Sequence, residues 1–164
     1  MEIGINSILI ITLLCIAVQD LKHTAIHIVL PLILVIAATV YAYYYHTIPV
    51  QEYVYSLGFV LLCLVVIVIQ YSIKQQQLAN PFETVFGLGD VAYLLAIIPL
   101  FSFRNYLLYF VSGMLISLLV GSVVKLITKN EAIPLAGYLA LYLIGIFSYK
   151  VLFSIPHLLS HNLY

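Results

Sequence analysis

Six apolar stretches of membrane-spanning length, separated mostly by short polar breaks, take up nearly all of the chain and leave it one solvent to fold in. An α-helix needs about 17 to 25 predominantly apolar residues to cross the hydrocarbon layer. Such stretches run from Ile3 to Gln19, Ala25 to Tyr45, Glu52 to Tyr71, Val85 to Phe103, Asn105 to Ile127 and Ala132 to Phe153. With 65% hydrophobic and 7% charged residues, the chain lacks the polar surface that a water-soluble domain presents. The pattern predicts an all-α, polytopic membrane protein of six transmembrane helices. No connection is long enough to fold by itself, so residues 1–164 read as a single membrane-embedded domain.

The ends of the stretches carry the remaining information. Glu2 and no Lys or Arg leads the first one, and no small-x-small cleavage site follows it, so it reads as a retained span rather than a secretory leader. Six basic residues balance six acidic ones, with no basic cluster to neutralise a row of phosphates, which argues against a nucleic-acid partner. With the amino terminus outside, Lys22, Lys74, Lys125 and Lys129 face the cytoplasm and only Arg104 and Lys150 lie near the outer face. The positive-inside rule favours that direction. Tyr41, Tyr43, Tyr44 and Tyr45 close the second stretch, where amphipathic rings suit the headgroup layer.

Several residues read as ordinary. Cys15 and Cys63 fall inside apolar runs without a second cysteine at CxxC spacing, and are expected as buried apolar side chains. His23 and His27, like His157 and His161, are four apart, a spacing that suits a metal. Neither pair has an acidic ligand beside it except for Asp20 near His23, so interfacial or solvated histidines are expected and no metal site is assigned. The longest polar break, Ser72 to Thr84, reads as an interfacial connection.

The chain has only two aspartates, Asp20 and Asp90, and each stands where an apolar stretch meets a polar break. A carboxylate at membrane depth is costly unless compensated, which makes it a functional candidate by default. Two spans separate them in sequence, so both face the same side of the membrane whatever the orientation. From Val91 to Phe103 there are 13 residues, or about 20 Å of helix, against about 30 Å of hydrocarbon. Gly87, Leu88, Gly89 and Asp90 are therefore expected to enter the apolar layer, or the bilayer to thin there. Two carboxylates brought together at such a boundary share a proton and titrate as a pair. The charged member can take a proton from water while the neutral member hydrogen-bonds a carbonyl. Gly87 and Gly89 leave room for another backbone to approach Asp90; helix packing in lipid uses small residues in the same way.

Three motifs, taken in order, resemble those of the type IV prepilin and preflagellin peptidases: Asp20-Leu21-Lys22 after the first stretch, Gly87-Leu88-Gly89-Asp90 opening the fourth, and Ile133-Pro134-Leu135-Ala136-Gly137-Tyr138-Leu139-Ala140-Leu141 opening the sixth. The family's elements are an Asp followed by Leu or Val and a basic residue, a Gly-x-Gly-Asp, and an Ile-Pro-Phe-Gly-Pro-like stretch. The likeness covers nearly the whole chain. It implies an intramembrane aspartic endopeptidase without metal or organic cofactor, which removes a short basic leader from single-span prepilin-like or preflagellin-like precursors at the cytoplasmic face of the inner membrane. Asp20 and Asp90 would be the catalytic pair, with Gly87, Gly89, Lys22 and Pro134 as motif and positioning residues.

Glu83, and less so Glu131, are candidates for attracting the basic leader. Where the family commonly has a Lys two residues after the motif's Asp, this chain has Val91-Ala92-Tyr93; where Ile-Pro-Asn is usual after the first Asp, it has Ile26-His27-Ile28. The cysteine-rich loop of larger bacterial members is missing, so methyltransferase activity is not implied. The non-peptidase alternatives are a family member that uses the aspartates to bind or assemble, and a small proton-coupled transporter.

Overall fold

The computed structural model describes residues 2–23, 26–45, 48–75, 87–128 and 134–153. These form six α-helices and one short 3-10 turn, with no strand among the described residues: α1 (Glu2–His23), α2 (Val29–Tyr45), α3 (Val50–Gln75), α4 (Leu88–Ala96), the 3-10 turn (Ile98–Leu100), α5 (Phe103–Thr128) and α6 (Leu135–Phe153). Among the described residues three segments are long and apolar enough to cross a membrane, Gly4–His23, Val50–Ile73 and Phe103–Val124. Val29–Tyr45, Leu88–Leu100 and Leu135–Tyr149 are apolar but shorter.

A buried stripe organises α1: Leu9, Leu13, Ile16, Ala17 and Asp20 recur at three- and four-residue intervals, which puts them on one helical face. The inward face of α6, with Ala136, Leu139, Ala140, Leu143 and Phe147, has the same period, and α1 packs against it and against α2. Small residues such as Ala17, Ala136 and Ala140 let these helices approach closely, the usual packing device in lipid. Tyr41 of α2 belongs to this core, edge-on to Phe147 with centroids 6.0 Å apart. It is thus not the headgroup-layer ring its neighbours suggest, whereas Tyr43 and Tyr44 are exposed. Cys15 is also not buried as expected; it is exposed on α1, and Cys63 is half-buried.

The fourth apolar stretch differs most from its sequence reading. Its helix has nine residues, about 14 Å at 1.5 Å per residue, and gives way to the 3-10 turn where Pro99 can donate no backbone hydrogen bond. Tyr93, Leu94, Ala96, Ile97, Ile98, Leu100 and Phe101 are all buried, with α2, α3 and α6 packed around α4. Irregular backbone is tolerated at membrane depth when protein encloses it. The shortness predicted for this stretch is found, and the residues around its break are packed inside the bundle. The turn's backbone groups are paired locally, with Leu100 donating to the Ile97 carbonyl at 3.0 Å and Phe101 to Ile98 at 3.2 Å. The hydroxyl of Tyr106 donates to the Leu94 carbonyl at 3.1 Å.

Candidate active site

Asp20 is 3% exposed because it continues the inward stripe of α1. The helix runs on to His23, so this aspartate lies in its last turns and not beyond its end. Asp90 is the third residue of α4, after the N-cap Gly87, and is half-buried. Its carboxylate accepts a hydrogen bond from the Gly87 backbone, while its own N–H donates to the Gly87 carbonyl at 3.0 Å. That is the return bond of a capping box, in which the third helical residue reaches back to the N-cap amide. Gly-Leu-Gly-Asp thus encodes a helix start that holds its own carboxylate.

A third element brings the two aspartates together. Pro134, buried, sits at the N-cap of α6, and its carbonyl accepts from Tyr138 at 3.3 Å. The amides of the second and third helical residues are ordinarily satisfied by an N-cap side chain, and proline has none to offer. Here the Ala136 N–H donates to Asp90 Oδ1 at 3.0 Å and the Gly137 N–H to Asp20 Oδ2 at 2.6 Å. Consecutive amides of one helix end therefore hold one oxygen of each carboxylate, at the positive end of the α6 dipole. The two side chains are close enough to interact electrostatically.

The glycines differ in what they do. A Cβ at Gly137 would lie 3.2 Å from Asp20 Oδ2 and 3.3 Å from both Asp20 Cβ and Leu21 Cγ, so a side chain there would press on the first aspartate. At Gly89 a Cβ would fall 2.8 Å from Ile26 Cβ, closer than real side chains come. The clearance that the sequence suggests for another backbone is thus taken up, at Gly89, by Ile26 of the same chain, from the Ile26-His27-Ile28 segment. A Cβ at Gly87 would make only ordinary contact, 3.4 Å from Asp90 Oδ2.

The arrangement presents paired carboxylates on a rigid backbone cradle, suited to activating a water between them. In a comparison of sequences, residues 7–128 match the type IV leader peptidase family. The chain belongs to that family. No curated protein and no solved structure matches it. Family membership makes the chain a leader peptidase in the general sense, and the matched span contains both aspartates.

In this leader peptidase the remaining candidates are scattered. Lys22 is exposed and lines a groove of about 530 Å³ with Gln19, His23 and Leu30. Glu83 and Glu131 lie outside the described residues, as do His157 and His161. A cavity of about 560 Å³ between α5 and α6, lined by Phe101, Tyr109, Tyr142 and Tyr149 among others, contains neither aspartate. Sequence reading missed the amides of Ala136 and Gly137, since a backbone donor leaves no mark in side-chain chemistry. The signal available was Pro134 itself, a helix N-cap without a side-chain acceptor, which leaves the amides of Ala136 and Gly137 to spare.

Proposed function

We propose that this protein is an intramembrane aspartic endopeptidase that cleaves the basic leader from single-span prepilin-like or preflagellin-like precursors at the cytoplasmic face of the inner membrane. The observation that carries the reading is the pair of adjacent α6 amides bonded to Asp20 and Asp90. One carboxylate takes a proton from a water molecule, whose oxygen attacks the scissile carbonyl; the neutral partner hydrogen-bonds that carbonyl oxygen. Collapse of the tetrahedral intermediate breaks the C–N bond, and the amine leaves with a proton from the pair. The precursor's helix unwinds locally to expose its backbone to the carboxylates. No metal or organic cofactor enters this chemistry. In the same reading all six helices span, α4 as a broken helix inside the bundle, and Lys22 marks the cytoplasmic boundary near the site.

The bonds to α6 also favour a second reading, in which the aspartates serve only to cap that helix in a binding or assembly protein. Asparagine separates the two, because its carbonyl oxygen still accepts an amide hydrogen bond but cannot relay a proton. The chain is co-expressed with leader-bearing precursors and cleavage followed by gel shift for the parent, Asp20→Asn and Asp90→Asn. The peptidase reading predicts cleavage by the parent and none by either variant, with all three accumulating in the membrane. Full cleavage by either variant would sink the two-carboxylate mechanism.

A further inference from the structure

One turn deeper than the carboxylates, α4 and α6 are joined a second time. Tyr93, fully buried, follows Asp90 by three residues and so continues the same side of α4. Its hydroxyl lies 2.8 Å from that of Tyr109 on α5, and the Tyr109 hydroxyl donates to the Leu139 carbonyl of α6 at 2.8 Å. Tyr109 has one proton to give, so Tyr93 is the donor in the first bond. Leu139 follows Ala136 by three residues, just as Tyr93 follows Asp90. The α4 to α6 spacing is therefore set at two levels, by the bond from the Ala136 amide to Asp90 and by the Tyr93–Tyr109–Leu139 chain beneath it.

Packing argues that this lower link is built in. Tyr109 is clamped between Phe101, with centroids 5.1 Å apart and planes at 21°, and Tyr142, at 5.6 Å and 15°. Two aromatic neighbours at such angles leave its ring one orientation, and its hydroxyl one target on α6. A hydroxyl buried this deeply costs stability unless bonded, so the chain has a bonding demand that only this helix spacing satisfies.

We infer that Tyr93 and Tyr109 are positioning residues for the carboxylate pair, holding α4 against α6 so that Asp90 stays in register with the Ala136 amide and hence with Asp20. The inference rests on the peptidase reading for its kinetic consequence but has a structural readout of its own. Tyr93→Phe removes one oxygen and leaves the Tyr109–Leu139 bond intact, which makes it the gentler variant; Tyr109→Phe also strands the Tyr93 hydroxyl.

Detergent-solubilised parent and variants are assayed on a leader-bearing precursor, and amide exchange is followed over residues 135–140. The expected result for Tyr93→Phe is a ten- to hundredfold lower kcat, a KM within twofold of the parent, and at least tenfold faster exchange at those amides. A displacement of about 1 Å is enough for such a kinetic loss. Tyr109→Phe exceeds both effects, and if it fails to accumulate Tyr93→Phe alone decides. Parent-like kcat in Tyr93→Phe, or a lower kcat without faster exchange, overturns the inference. Survival of cleavage in Asp90→Asn instead overturns the peptidase reading, while the exchange data still judge the coupling between α4 and α6.

Discussion

Gly89 is the residue at which a single carbon decides between packing and clash. Alanine in the interior of a helix gains up to about 1 kcal/mol over glycine, but a methyl group 2.8 Å from Ile26 Cβ must displace the Ile26 segment, and overpacking of this kind costs about 1 to 3 kcal/mol. Gly89→Ala is therefore expected to lower the thermal unfolding midpoint. Because the nearest atom is the Cβ of Ile26, Ile26→Ala leaves the clash in place and does not rescue; Ile26→Gly does. Thermal unfolding in detergent of the single and double variants checks this, and equal rescue by Ile26→Ala would show that the conflict lies elsewhere. Gly137→Ala belongs to the same scale. Its methyl group presses on Asp20 and Leu21, and the expected outcome is at least a tenfold loss of cleavage in a protein that still accumulates.

Helix ends, more than helix interiors, are where this chain spends its polar residues. At the opposite end of the bundle from the aspartates, Glu52 of α3 accepts the Phe103 amide of α5 at 2.7 Å, while the Ser102 hydroxyl next to it is buried with no partner among the described residues. Glu52→Ala strands that amide and is expected to cost about 1 to 2 kcal/mol, read as a lower unfolding midpoint with the kcat of the folded protein unchanged. A large change in kcat would mean that the two ends of the bundle are coupled. These cross-helix caps set the limit of sequence reading. The apolar stretches were legible as runs of hydrophobic residues and the three motifs as residue types, whereas the stripe of Leu9, Leu13, Ile16 and Asp20 was not, because Ile8, Ile11, Leu14 and Val18 make the exposed faces of α1 apolar as well. That carboxylates from α1 and α4 take the α6 amides that Pro134 leaves uncapped depends on contacts between residues more than 40 positions apart.

At the scale of the whole molecule, the packing of α4 shows how a helix of nine residues can belong to a membrane domain: its Tyr93, Leu94 and Ala96 are buried among α2, α3 and α6. The sequence showed the shortness but not the enclosure, because burial among helices and burial in lipid select the same apolar residues. Orientation is the prediction that belongs here. In a Cys15→Ser, Cys63→Ser background, Lys22→Cys and Tyr43→Cys place thiols at exposed positions near opposite ends of the bundle. If the carboxylates face the cytoplasm, an impermeant maleimide added to intact cells labels the Tyr43→Cys protein and reaches Lys22→Cys only after permeabilisation; the reverse pattern would put the site outside.

The amides at Ala136 and Gly137 have a practical consequence for anyone mapping this peptidase by mutagenesis. One position is already alanine, so an alanine scan skips it, and at the other the scan reads the bulk of an added methyl group and not the loss of the amide, although both amides hold the carboxylates. Their contribution is in the peptide unit itself. It would come to light through amide-to-ester exchange in a semisynthetic chain, where a single N–H is replaced by oxygen and every side chain is left as it was.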